Sequence, residues 1–282
     1  MSTLSVNTII PYSNPTLTLQ GSFTTTDDMT VNGITIGRGA GSFVQNTVIG
    51  SGSLKNNTTG IANTALGNGA LLSNTSGGNN TAVGWGTLAY GTTISSNTAI
   101  GYTALNLIVS GGGNTAVGAA ALYFNQSSDN TAVGQTALTY NTTGLGNTAV
   151  GDGALQSNVI GNNNIGVGRG VLGGAVSGSY NIGIGTQAGL NNISGSYNVF
   201  IGYNAGYNEA GSNKLYIANS NTATPLIKGD FVSGTVAINN VLQITPQNPL
   251  PAAASYPNSF AVSGSTPPVP YFSNGTSWTA LY

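Results

Sequence analysis

The sequence predicts an all-β fold: a parallel β-solenoid, or β-roll, of about ten 17-residue coils with small β segments at both ends. Three observations predict it. A short phrase, Asn-Thr-Ala-Val-Gly or a close variant, recurs from Asn46, Asn63, Asn80, Asn97, Asn114, Asn130, Asn147, Asn164, Asn181 and Asn198. The spacing is 17 residues except for one step of 16, and a fixed period this short marks a stacked array. The residues around that phrase alternate at the strand period of two. Finally, of 282 residues 43 are Gly and only 4% are charged, which suits stacked turns and rules out a charge-rich surface.

Counting each asparagine as position 1, position 2 is Thr in seven copies and Ile165, Ile182 or Val199 in the rest, and position 4 is always Ile, Leu or Val. Both are strand-forming types on one strand face. The sequence reads most simply with that face inward and with position 3, nearly always Ala or Gly, outward. An outward strip of Ala and Gly leaves a flat apolar surface in water, and packing of three chains about an axis is the simplest closed cover. In this register Val117→Asp breaks the stack. Position 5 is Gly throughout, fitting a corner. A second small apolar pair, such as Ala104-Leu105 or Ala137-Leu138, then a turn such as Asn57-Thr58-Thr59-Gly60, implies two short strands per coil. Helix is excluded by the Gly and Asn content. Ten coils at strand spacing give a rod roughly 50 Å long. Like charges stacked in columns would repel, whereas columns of Asn and Thr can bond along the axis. The 16-residue copy, 114–129, should lose only one turn residue near Ser127-Ser128.

Residues 1–33 read as an N-terminal β attachment segment, with strands at Leu4–Ile10, Thr16–Gln20 and Met29–Val31, and Asn32-Gly33 as a turn into Ile34–Ile36. Residues 34–45 form an opening coil and 46–213 the solenoid. Residues 214–245 supply closing strands, including Lys214-Leu-Tyr-Ile-Ala and Pro225-Leu-Ile-Lys-Gly-Asp-Phe. Residues 246–257 are a Pro/Ala-rich connector. Residues 258–282 form a C-terminal tip module, with Asn274-Gly275 turning between a Tyr-Phe strand and a Trp strand. The first residues lack the basic and apolar regions of a secretory leader, and no run is long and apolar enough to span a membrane.

Chemistry is sparse. Without His or Cys, catalytic triads, disulfides and thiolate or imidazole metal sites are out. A net charge of −1 gives nucleic acid and anionic membranes nothing to hold. The acids are scattered, and Asp27 and Asp28 are read as a solvated turn. Gly168-Arg-Gly-Val-Leu-Gly173 matches a phosphate-loop pattern literally, but in a glycine-punctuated repeat it reads as structure. Asn-x-Ser/Thr triplets such as Asn57-Thr-Thr follow from Asn/Thr-rich turns. The sequence therefore predicts no enzyme, cofactor or metal. The remaining candidates are aromatics at variable positions: Trp85, Tyr90, Tyr102, Tyr123, Phe124, Tyr140, Tyr203 and Tyr207. They suit stacking on sugar rings, but the simpler reading is that they fill gaps between chains or cover coil edges. Trp278 joins them as a candidate contact, although with Tyr271 it also suits the small core of the tip.

The repeat Asn-Thr-Ala-Val-Gly-x-x-Ala-Leu resembles the head repeats of trimeric autotransporter adhesins. It is more similar still to repeats in tail-fibre proteins of marine and cyanobacterial phages. Met1-Ser-Thr-Leu-Ser-Val-Asn-Thr-Ile, Thr30-Val-Asn-Gly-Ile-Thr-Ile-Gly-Arg-Gly and Tyr271-Phe-Ser-Asn-Gly-Thr-Ser-Trp-Thr-Ala-Leu resemble those fibres too. The adhesins' leader, heptad stalk and membrane anchor are not visible, nor is the charged self-cleaving chaperone domain that follows a similar Asn213-Lys-Leu-Tyr-Ile segment in many fibres. The resemblance implies a homotrimeric virion fibre on the particle surface, joined to other virion proteins by its N-terminal segment and contacting a host glycan or protein. The alternative is a receptor-binding adhesin head.

Overall fold

The computed structural model describes residues 28–41, 43–239, 250, 252, 260–262, 269–273 and 276–281. Among these there is no helix. The strands β1 (Met29–Val31) and β2 (Ile34–Gly37) form a hairpin. Ten three-residue strands follow, one per coil: β3 (Thr47–Ile49), β4 (Thr64–Leu66), β5 (Thr81–Val83), β6 (Thr98–Ile100), β7 (Thr115–Val117), β8 (Thr131–Val133), β9 (Thr148–Val150), β10 (Ile165–Val167), β11 (Ile182–Ile184) and β12 (Val199–Ile201). Three longer strands, β13 (Lys214–Ile217), β14 (Ile227–Asp230) and β15 (Thr235–Ile238), close the sheet. All fifteen lie in sequence order in one sheet, and β3 to β13 are parallel, each residue beside its counterpart in the next repeat. A separate antiparallel sheet holds β16 (Phe260–Val262), β17 (Pro270–Ser273) and β18 (Trp278–Ala280). The solenoid is thus as the period predicts. The strands expected at Leu4–Ile10 and Thr16–Gln20, Asp27, most of the Pro/Ala connector and the Asn274-Gly275 turn lie outside the described residues.

The strand faces are the reverse of the sequence expectation. Position 3 points inward: Ala65, Ala82, Ala99, Ala116, Ala132 and Ala149 are all buried, at 1% exposure or less. Position 4 faces out, and Leu66, Ile100, Val150 and Ile184 are about two-fifths exposed. The reason is the width of the coil. Seventeen residues enclose a space so narrow that an inward strand residue meets the buried leucine of the opposite wall, and in coils 2 to 9 only Ala or Gly stands beside it, with Val48 filling the position in the first coil. A Cβ added at Gly183, for instance, would lie 2.6 Å from Val171 and 3.1 Å from Leu172. Val117 accordingly lies on the outer face, and an aspartate there would not be buried inside the stack.

The expected second strand is also absent. At position 9 the chain holds Leu54, Leu71, Leu88, Leu105, Leu122, Leu138, Leu155 and Leu172 in left-handed backbone, with φ between 47° and 52°. Each such residue costs about 1 kcal/mol. Burying each leucine returns about 2 kcal/mol or more, and its amide still bonds to the next coil, as in Leu88 N–H to the Ala104 carbonyl at 3.2 Å. This edge is a stacked turn rather than a strand. At position 5 glycine is required twice over. Gly101 has φ +134°, and a Cβ there would sit 2.6 Å from the Gly118 carbonyl oxygen.

The rest of the interior is asparagine. Every position-1 Asn is buried, and its side-chain oxygen accepts the backbone N–H of the next one, or of Lys214 after the last: Asn147 N–H to Asn130 Oδ1 at 2.9 Å, Asn164 N–H to Asn147 Oδ1 at 2.9 Å, Asn181 N–H to Asn164 Oδ1 at 2.9 Å. The amide nitrogen reaches across the coil, as from Asn147 Nδ2 to the Gly161 carbonyl at 2.8 Å. A second column at position 12 links Asn57 with Asn74, and Asn125 with Asn141 and Asn158. Hydroxyls of Thr58, Thr75 and Thr142 on the outside bond to the next coil in the same way. Stacking like on like thus converts polar side chains into axial hydrogen bonds.

Irregular residues come in compensating sets. Phe200 replaces the small position-3 residue, and in coils 9 and 10 the position-9 leucine becomes Gly189 and Gly206. A Cβ at either glycine would come within 2.4 Å of the Phe200 ring. In the 16-residue coil, β7 and β8 keep their register, and Ser127 supplies the carbonyl that Asn114 Nδ2 reaches at 2.9 Å. Gln126 fills the gap, its Nε2 donating to the Leu107 carbonyl at 2.6 Å and its Oε1 accepting from Val109 N–H at 2.8 Å.

The ends are capped. The β1–β2 hairpin, turned by Asn32 and Gly33 with positive φ, pairs antiparallel with β3. Asp28 is not a merely solvated turn residue. Its carboxylate accepts the backbone N–H groups of Arg38, at 2.5 Å, and Gly39, at 2.7 Å. At the other end β14 and β15 turn antiparallel.

Candidate contact surfaces

Successive coils place the same repeat position in a column, so the exposed aromatics gather by position. Trp85 and Tyr102 occupy position 6 of adjacent coils and stack at 5.2 Å between ring centroids, 14° from parallel. Phe124 and Tyr140 occupy position 11 and stack at 5.6 Å and 13°, while Tyr123 meets Phe124 edge-on at 4.7 Å. Tyr90 lies in the same position-11 column, with Leu107 between it and Phe124. Tyr203, in the position-6 column, is 54% exposed, and Tyr207 is half-buried. The structure therefore joins Trp85 with Tyr102, and Tyr123 with Phe124 and Tyr140. It keeps these groups apart and does not gather all eight.

A third pair escaped the sequence reading. Tyr180 and Tyr197, at position 17 of consecutive repeats, stack at 5.0 Å and 6°. Their 17-residue separation was the available signal. Trp278 lies in β18, half-buried, as is Tyr271 in β17, and Ala261 and Ser273 of that sheet are buried. Phe260, opposite Phe272, is 65% exposed.

Ionisable groups collect where the parallel stack ends. Lys214 and Asp230 face each other across β13 and β14 and form an ion pair at 2.6 Å. Lys214 holds the Asp230 carboxyl down at about 2, with help from the amides of Ser233 and Val232, and the same bond raises the lysine. Beside them Tyr216 donates its hydroxyl to Glu209 at 2.6 Å, and the Lys228 ammonium lies 5.1 Å from the Tyr216 ring. Burial, then the Glu209 bond, raises the Tyr216 hydroxyl above its ordinary range. Each charge is partnered, so the cluster works as a lid on the stack.

Other sequence motifs dissolve into the coil. The glycines 168, 170 and 173 fall at positions 5, 7 and 10 of one coil, with no helix to receive a phosphate. Asn57 is 3% exposed and bonded inside, so its Asn-Thr-Thr triplet offers no accessible amide. Among the described residues no three His, Cys, Asp or Glu side chains gather as a metal site would require. The chain matches no family model, no curated protein and no solved structure.

Proposed function

We propose that the chain is a non-enzymatic structural fibre: three copies pack side by side into a rigid rod that projects from a virion and contacts a host surface. The carrying observation is the outer face of β3 to β12. Positions 2 and 4 present Thr, Val, Ile and Leu in every coil, without one charge, and much of this surface is exposed. Ten strands at 4.8 Å, each three residues wide, make a strip of roughly 500 Å², at the upper end of what single chains leave in water. A straight, repetitive, uncharged strip fits another copy of itself better than an unrelated globular partner. The trimer expected from the Ala/Gly face thus passes to the opposite face of the same strands.

The aromatic stacks favour the contact role. Trp85–Tyr102, Phe124–Tyr140 and Tyr180–Tyr197 stand on the outside of the coils with exposed edges, and three chains would multiply weak contacts. The position on a virion rests on the resemblance of the repeat and of both ends to phage fibres, and the N-terminal segment is then the attachment to other virion proteins. An adhesin head would use the same rod.

Light scattering on the purified native protein is the test. A mass three times 28.1 kDa is expected. A monomer that remains a monomer at high concentration sinks the fibre reading.

A further inference from the structure

The columns at positions 10 and 11 carry side chains in every coil but the eighth, where Gly173-Gly174 leaves bare backbone. An open hollow of ≈ 500 Å³ lies there, spanning coils 6 to 9. Asp152 and Arg169, in adjacent coils at position 6, form one wall. Gln156, Gln187 and Asn191 stand around the rest. Charges are rare in this chain, with 5 Lys and Arg and 6 Asp and Glu in all, yet two of opposite sign meet at this hollow. They do not pair: among the described residues the ion pair is Lys214–Asp230. Nor do the side chains of Asp152, Arg169, Gln156 and Gln187 bond to any described residue.

We propose that this notch is a binding subsite for a neutral saccharide. A sugar ring presents vicinal hydroxyls that both donate and accept. A carboxylate accepts from two of them, a guanidinium donates a fork, and carboxamides do both. One positive and one negative group leave the hollow neutral, which favours a neutral sugar over a uronic acid or a phosphate. Glycine backbone as the floor lets a ring approach closely. Tyr140, two coils before the glycine pair, and Tyr207, two coils after it, stand roughly 10 Å to either side along the rod. They offer ring faces to sugar units that run past the notch. The proposal deepens the host-contact reading and rests on it for the ligand's origin, but the binding itself is testable on the isolated protein.

The coil supplies its own filling variant. Gly170 sits at position 7 with φ +61°, and its counterpart in the next coil is Gln187 with φ 57°. Gly170→Gln therefore fills the notch with a residue that this backbone already accepts. Saturation-transfer NMR on the full chain, with maltose, lactose and cellobiose as probes, reads binding directly. At least one disaccharide should give transfer, weakened tenfold or more in Gly170→Gln and in Arg169→Ala. Val109→Thr, which restores the threonine found at that column position in other coils, should leave it unchanged. Melting curves that overlay the parent show that the variants keep the coil. No transfer from any of the three probes, or transfer that persists in both variants, overturns the notch. A trimer by light scattering without saccharide transfer removes only the notch. A monomer that binds saccharide keeps the notch and removes the trimer.

Discussion

The solenoid body and its closing strands use opposite rules for polar groups. From β3 to β12 each residue stacks on its own kind, so buried asparagines bond as ladders and charge is almost excluded. At β13 to β15 the strands turn antiparallel, unlike residues face one another, and Lys214 meets Asp230 while Lys228 meets Tyr216. Parallel in-register pairing thus selects self-complementary side chains, and antiparallel pairing selects complementary ones. A repeat array needs the second kind of pairing only where it ends.

The strongest way to break this comparison is to place a charge on each face of one strand. Ala116→Asp buries a carboxylate with no partner, and we expect no folded protein by circular dichroism. Val117→Asp, one residue on, faces outward and should keep the parent's circular dichroism spectrum while shifting the scattering mass from trimer to monomer. Equal collapse of both variants would refute the facing of the strands. Next comes the ladder. Asn147→Ala deletes the side-chain bonds to Asn130, Gly161 and Asn164, leaves the buried Asn164 N–H unpaired, and should cost about 2 kcal/mol in denaturant unfolding. A loss under 1 kcal/mol would mean that the ladder merely fills space.

A smaller, opposite effect is available where the second column is interrupted. Asn74, Asn158 and Asn192 each have a buried Oδ1 without a partner, and the residues that would donate to them are Gly91, Ala175 and Glu209. Ala175→Asn should supply an amide to Asn158 and raise stability by about 1 kcal/mol, provided the melting curve remains a single transition. The smallest effect concerns the lid. The Asp230 carboxyl is held at about 2, below its ordinary 3.8, so its contribution is present above pH about 4 and fades as pH falls towards about 2. Asp230→Asn should therefore melt below the parent at pH 7, with most of the gap gone at pH 2, where the carboxyl is about half protonated. A gap as large at pH 2 as at pH 7 would locate the effect outside the ion pair.

The period, the parallel stack, the shortened coil and the Asn32-Gly33 turn were legible because each depends on spacing or on turn chemistry. The facing of the strands was not. Hydrophobicity favours Val and Ile for an interior over Ala, and only the narrowness of the coil reverses that choice. The sequence did hold a signal for it. Leucine is lost at position 9 in the coil that holds Phe200 at position 3 and in the coil before it, which makes sense only if both positions share one interior. The second strand failed for another reason: left-handed leucines are too uncommon for pattern reading to anticipate. Of the contact residues, stacking at one repeat's distance was readable, and Tyr180–Tyr197 could have been found by it. The hollow at Gly173-Gly174 appears only once the columns are aligned in space.

The gaps in the asparagine column also bear on how the rod would carry a load. The axial hydrogen bonds at each coil boundary share an end-to-end pull, so a boundary resists in proportion to how many of them it holds. No asparagine rung crosses the boundaries between Asn74 and Asn125, where Gly91 and Ile108 stand in the column, or between Asn158 and Asn192, where Ala175 stands. Under tension the rod should yield first within those two stretches, coming apart in blocks of several coils and not one coil at a time.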